Sequence, residues 1–489
     1  MNTHKNIHDC IVAIESRFAV DTWSIAGVHL WPHIRIKLYY HLLEVVDGTT
    51  NDQGGFQQQQ SLYRFQFIKD AVGDYLYYIK NSSKKDKKKI AFVSVKMHRV
   101  LHEGKPFNRF FDTMIKEHNL KNDCLTIEMQ GVPYGCFNSK NILDAERFIA
   151  GYKVQSKACQ FFMPNNYIKE EESLVGYTDF VNFMQEQDWF SNRLNFEIDL
   201  LIAWSKKIKD LSKVFSRLFK NRSIKRLIAL SYYGFDYMAA AMLAANDLGI
   251  ETIDFQHGPQ TNVHMAYSSW TKLPEGGYNT MPKAYWNWDQ TSSENIKSWW
   301  KKPNGSKIIG QPWLAFNQNA QNGKKGLVSS DFLYSLQIFN QSNLDYFFPA
   351  GLLELIRTEE YHWRFRIHPR NSTSVDLIHN FLKRENIPRA VYHIELPALV
   401  PLYNSLNSCI VHITNYSGCV IESVLMNKLT IIIDETGYLF YKSYIQRNLV
   451  HFVDKNDIDF FSKVKYVYTL TGSDEGLTLL PVYNPLKDL

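Results

Sequence analysis

The sequence predicts an α/β protein of two domains, each with a parallel sheet, facing each other across a central cleft. Three observations predict it. The chain has 489 residues, too many for one ordinary domain. Short apolar runs alternate with helical patterns in both halves, which implies βαβ units and parallel sheets. Polar clusters stand directly after several of these runs, at the strand exits where α/β sheets bind ligands.

Residues 1–89 read as a helical extension and a basic linker, part of the first domain. An apolar-periodic stretch covers 34–46, residues 51–60 are polar and expected to form a mobile loop, and Asn81-Ser82-Ser83-Lys84-Lys85-Asp86-Lys87-Lys88-Lys89 is the linker. The first buried strand is Ile90–Val95, with His98, Arg99, Gly104 and Arg109 after it. A long helical pattern spans 195–222. Ile208, Leu211, Phe215, Leu218 and Phe219 share one stripe there, with lysines and arginines around it. A strand at 227–230, an Ala-rich helix at 234–248 stopped by Gly249, and the strand Glu251–Phe255 make a βαβ unit. Strands at 284–288 and 307–310 complete the first domain, 90–320. The polar stretch 317–326 is the expected boundary. The second domain, 327–470, has strands at 332–336, 363–367, 390–394, 409–413 and 430–433, with helices at 352–357 and Val375–Arg384 among the connections. A tail, 471–489, is expected to cross back to the first domain.

Composition narrows the function. A net charge of +6 is too mild to imply nucleic acid, since the basic residues gather in one helix and one linker without a known module. The six cysteines form no CxxC pair and no zinc spacing, so a reduced cytoplasmic compartment is expected. No run reaches the length of a membrane span, and Met1 to Ile11 lacks the apolar core of a signal peptide. The basic amphipathic stretch 206–222 suits either a core-packed surface helix or attachment to the inner face of an anionic membrane. Among the abundant aromatics, Trp23, Trp31, Trp270 and Trp313 are candidate platforms for a glycan.

The strand exits carry the candidate chemistry. Gln256-His257-Gly258 follows the strand ending at Phe255, and glycine there permits close approach of a ligand. A neutral His257 can accept a proton from a hydroxyl, and Asp236, at the start of the Ala-rich helix, is the alternative carboxylate. Gln256, Gln260, His264, His98 and Arg99 are the expected acceptor-side residues. Arg366, His368 and Arg370 surround a His-Pro turn, where guanidinium forks suit phosphate oxygens. Thr414-Asn415-Tyr416-Ser417-Gly418 leads from a strand into a helix bearing Glu422, a turn whose hydroxyls and amides suit an anion. Asn415, Ser417 and Glu422 join the arginines and His368 as donor-binding candidates.

The strand, Ser-centred turn, Glu-bearing helix and following Asn427-Lys428-Leu429-Thr430-Ile431-Ile432-Ile433-Asp434 resemble the carboxyl-terminal domain of GT-B glycosyltransferases. The Gln-His-Gly segment resembles bacterial surface-polysaccharide transferases and glycerophosphate polymerases that use CDP-glycerol. His368-Pro369 resembles the pair that contacts CMP in GT-B sialyltransferases and Kdo transferases. The resemblance implies two Rossmann-like domains, His257 as base, His368 and Ser417 at the donor phosphate and Glu422 at the ribose. The expected activity is metal-independent transfer of a sugar from a nucleotide-activated donor to a glycan or glycolipid acceptor of a cell-surface polysaccharide. A CMP-linked ulosonic acid is the first donor expected, and a UDP- or GDP-hexose the alternative. A nucleotide-sugar epimerase of the same fold and a non-enzymatic, membrane-associated scaffold remain the other readings. No cofactor is expected.

Overall fold

The computed structural model describes residues 4–47, 64–162, 172–191, 194, 196–320, 331–339, 341–371 and 375–470. The tail 471–489 and the loop 51–60 lie outside these residues. One compact unit reaches Ile309 and the other begins at Gly310, so the helix Pro312–Ala320 belongs with the second.

The first unit is built on seven parallel strands: β1 (Ile90–Val95), β2 (Cys124–Met129), β3 (Ile142–Asp144), β4 (Arg226–Leu230), β5 (Glu251–Phe255), β6 (Ala284–Asn287) and β7 (Ser306–Ile308). Their order across the sheet is β7-β6-β5-β4-β1-β2-β3. Helices cover such a sheet on both faces, which is why Ile-Ala-Phe-Val-Ser-Val of β1 is buried at every position. The second unit repeats the plan with β8 (Asp331–Ser335), β9 (His362–Arg366), β10 (Tyr392–Glu395), β11 (Val411–Thr414), β12 (Leu429–Ile432) and β13 (His451–Phe452), all parallel, in the order β10-β9-β8-β11-β12-β13. Both sheets therefore follow the dinucleotide-fold order 3-2-1-4-5-6 within their own numbering. The expected pair of Rossmann-like domains with parallel sheets is present.

The Ala-rich helix settles at Asp236–Asp247. It ends in a Schellman turn, with Ile250 N–H donating to Ala245 O at 2.9 Å and Gly249 at φ +65°. β2 and β3 escape the periodicity argument. Thr126 and Glu128 point into the interior and interrupt the apolar run of β2, and β3 has three residues.

Two expectations are corrected here. The stripe of the helix Ile198–Arg222 is committed to the core: Ile208, Leu211, Phe215, Leu218 and Phe219 are all buried. That face has no apolar surface left for lipid. The four tryptophans expected as glycan platforms are buried too, with Trp23 and Trp31 at 0% exposure, Trp270 at 4% and Trp313 at 8%. Trp31 Nε1 donates to Glu15 at 2.7 Å, Glu15 pairs with buried Arg35 at 3.2 Å, and the Arg35 guanidinium lies 4.0 Å over the Trp270 ring. These contacts bind the N-terminal helices His4–Arg17 and Trp31–Asp47 into the first unit's core. Among the described residues no helix is long and apolar enough to cross a membrane.

Candidate functional site

In the first unit β1 and β4 are neighbours whose following connections lead to opposite sides of the sheet. A crevice is expected at the carboxyl ends of such a pair. The chain leaves β4 through Ser231, whose φ of +63° lies in the left-handed region that non-glycine residues seldom occupy. Gly234 N–H closes the turn on Ser231 O at 2.8 Å, and Asp236 opens the helix. A cavity of about 830 Å³ lies against this turn. Lys37 and Tyr40 of the first unit's second helix, Trp204 of the long helix, Tyr233 and Asp236 are in its wall. The His33 ring stacks on Trp204 at 4.0 Å and 18°.

Asp236 accepts a hydrogen bond from Trp204 Nε1 at 2.9 Å and from Lys207 Nζ at 2.5 Å. Burial acts to raise its pKa, but the bonds from Lys207 and Trp204 prevail and hold it below the usual carboxylate value. Both of its oxygens are therefore already engaged, by Trp204 and by Lys207, which suits Asp236 to binding and orientation rather than to taking a proton. Burial, with Lys37 and Lys207, pushes His33 down to about 3.

After β5 the chain passes Gln256 to His257. The His257 ring lies 5.6 Å from that of His98, in the turn after β1, so the exits of two strands that flank β4 bring two imidazoles together. Burial, then His264 and Arg109, push His257 down to about 3, and burial with His257 and Arg109 depresses His98. Both rings are neutral at physiological pH. His257 Nδ1 is enclosed with no hydrogen-bond partner among the described residues.

The other expected acceptor-side residues hold structure instead. Gln256 is fully buried, accepting from Trp288 N–H at 2.7 Å and donating to Ser292 Oγ at 3.1 Å. Gln260 donates to Asp254 Oδ2 at 3.3 Å and accepts from Asn287 Nδ2 at 2.5 Å. Arg99 is clamped between Glu128 at 2.7 Å and Asp112 at 2.9 Å, on the hairpin of Arg99–His102 and Lys105–Asn108. His264 packs among Tyr39, Tyr233 and Tyr267, its Nε2 lying 3.2 Å from the Tyr233 hydroxyl, and burial pushes it down to about 4. In each case a loop side chain turned inward to satisfy buried polar groups.

In the second unit the corresponding strand pair is β8 and β11. Thr414 Oγ1 donates to Ser335 O at 2.8 Å and accepts from Gln337 Nε2 at 3.1 Å. Asn415 Oδ1 accepts from the Tyr334 hydroxyl at 2.5 Å, while its Nδ2 is enclosed with no partner among the described residues. Ser417 Oγ accepts from Cys419 N–H at 3.3 Å, so this hydroxyl caps the turn into the helix Cys419–Leu425. Glu422 lies in that helix at 7% exposure. His368 is two residues past β9, its carbonyl accepting from Asn371 N–H at 2.8 Å across the turn Pro369–Asn371, which contains Arg370.

Arg366 is engaged by partners within its own unit. It is 8% exposed and donates to Val400 O at 2.7 Å and Ser405 Oγ at 3.0 Å, with Glu395 at 3.6 Å. Strand alternation puts Arg364 on the same face, where it pairs with Glu395 at 2.9 Å. The two arginines brace β9 against β10 and the helix Leu402–Ser408.

His33, Lys37, Trp204, Lys207 and Ser231 were not anticipated. The only local signal is Ser231-Tyr232-Tyr233-Gly234 between a strand and a helix; the other residues come from distant helices. Among the described residues no group of three or more His, Cys, Asp or Glu side chains is arranged to hold a metal ion.

No family model matches the chain. No curated protein matches it either. Among solved structures it resembles the UDP-GlcNAc 2-epimerase of Neisseria meningitidis bound to UDP-GlcNAc, at 10% identity over 80% of this chain and 96% of that one, with a TM-score of 0.46. The UDP-GlcNAc 2-epimerase of Methanocaldococcus jannaschii, in complex with UDP-GlcNAc and UDP, is 12% identical over 78% of this chain and 93% of the other, with a TM-score of 0.43. The wall teichoic acid polymerase TagF, as its H548A variant, is 10% identical over 91% of this chain and 94% of its own, with a TM-score of 0.41.

Proposed function

We propose that this chain is a glycosyltransferase that takes its sugar from a nucleotide-activated donor. The observation that carries this reading is the doubled dinucleotide-fold order, with unsatisfied or ligand-ready polar groups at the strand exits of each sheet. In this reading the second unit holds the nucleotide. The turn at Ser417 and His368 meet the phosphate, buried Asn415 supports that turn from beneath, and Glu422 meets the ribose. The first unit holds the acceptor glycan. Neutral His257 takes the proton of the attacking hydroxyl, and Asp236 orients the acceptor through its fixed charge. His368-Pro369 favours a CMP-linked ulosonic acid, with UDP- and GDP-hexoses as the alternatives.

The test is thermal unfolding of the full chain with CMP, CDP, UDP, GDP or ADP, for the wild type and for His368→Ala. One nucleotide at about 100 times its Kd stabilises by about 2.7 kcal/mol, and His368→Ala removes the shift. CMP as that nucleotide identifies the ulosonic acid class, and UDP or GDP a hexose. No shift with any nucleotide overturns the reading. With the donor known, His257→Ala lowers kcat/KM by about 10²- to 10⁴-fold in a transfer assay. Turnover of the nucleotide sugar without acceptor would instead favour an epimerase.

A further inference from the structure

We propose that the outer face of the helix Arg64–Ser82, with the lysines that follow it, docks on an anionic lipid bilayer. The inner face of this helix packs on the helix Ala145–Phe162, where Tyr78 is buried and the backbone of Asp74 lies against Gly151. The opposite face carries Val72, Leu76 and Ile79, spaced by four and three residues and so aligned in one stripe. They are 54%, 61% and 38% exposed, while most large apolar residues of this unit are buried. The stripe runs into a cluster of cations, with Lys80, Lys84, Lys85, Lys87 and Lys89 all exposed. The one acid among them, Asp86, is already paired with Lys84 at 2.9 Å and with buried Arg222.

A second basic surface meets the first. Lys209, Lys213, Arg217 and Lys220 line a groove of about 390 Å³ on the long helix, where they outnumber the acids Asp247, 3.9 Å from Lys209, and Asp210, 3.0 Å from Lys213. Asn221, in the same groove, donates to Ser82 O at 2.6 Å and so ties it to the end of the striped helix. Apolar side chains bounded by ammonium groups match a bilayer surface, where the former enter the acyl boundary and the latter meet lipid phosphates. The same cations repel a second copy of this face, which argues for lipid over self-association.

The experiment is co-sedimentation of the full chain with vesicles of phosphatidylglycerol and phosphatidylcholine, and with vesicles of phosphatidylcholine alone. Two variants accompany the wild type: Val72→Gln, Leu76→Gln and Ile79→Gln together, and Lys84→Glu, Lys85→Glu and Lys87→Glu together. Circular dichroism and the unfolding midpoint establish that both fold. The expected result is binding to the anionic vesicles, weakened about tenfold or more by either set of changes. Absence of a preference for anionic vesicles overturns the proposal, as does binding indifferent to the glutamine set. A dimer in light scattering that the glutamine set dissociates would give the face to a second copy and overturn it as well. None of these outcomes touches the nucleotide screen, so the two proposals fail separately.

Discussion

Asp254 holds two loops of the first unit from beneath. It lies within β5, and its carboxylate accepts from Tyr232 N–H at 3.0 Å, in the loop after β4, and from Gln260, in the loop after β5. Complete burial raises its pKa from 3.8 to about 7, although the hydrogen bonds oppose this. Below pH 3.8 the group is protonated whether folded or unfolded and contributes no difference. Between 3.8 and 7 only the unfolded chain ionises, so stability falls as pH rises, by up to about 4 kcal/mol, and is level above 7. Asp254→Asn removes that dependence. The stability difference, variant minus wild type, measured by urea unfolding, rises by several kcal/mol between pH 4 and 8. A flat difference would mean that Asp254 titrates normally. Asp254 is legible in the sequence as a strand residue; its role is not, because its partners are Tyr232 and Gln260 on two separate loops.

Gly437 shows how an element sets a site it does not contain. It lies in the helix Glu435–Phe440, capped by Asp434, whose side chain accepts from Thr436 N–H at 2.8 Å. A Cβ at Gly437 would overlap the Asn415 carbonyl oxygen and the Ile432 side chain. Gly437→Ala therefore costs about 1–3 kcal/mol and moves the backbone of Asn415. The expected result is a lower urea midpoint together with a smaller nucleotide-induced thermal shift; an unchanged midpoint would mean that the contact relaxes without cost. At this scale the sequence was most readable where apolar runs are uninterrupted. Ile90–Val95, Glu251–Phe255 and Val375–Arg384 stand where the pattern places them. β2 was hidden because Glu128 faces inward to meet Arg99, a partner that only the folded hairpin supplies.

The whole molecule carries an acid sensitivity distributed over both units. His33, His257 and His412 are pushed down to about 3 and His264 to about 4, in each case chiefly by burial. A histidine buried neutral contributes its stability above the unfolded value of about 6.5 and loses it as pH falls toward the folded value. Asp254 acts in the opposite sense, as does Asp112, which burial raises to about 6, but these are two groups against four. The urea midpoint is therefore expected to fall steeply between pH 6.5 and 4. A midpoint constant over that range would mean that these rings titrate near their ordinary value.

By itself the sequence determined the alternation of strands and helices, the two sheets and the positions of the strand exits. These depend on local periodicity and on turn residues, which a chain carries with it. Only the tertiary structure decided which polar side chains at those exits remain available. Arg366, Gln256 and Arg99 turned inward to satisfy buried partners far along the chain. The stripe at Ile208 and Phe215 went to the core, while that at Val72, Leu76 and Ile79 stayed outside. An amphipathic pattern states that a face is apolar. What covers it depends on segments distant in sequence, because burial is settled by packing across the whole unit.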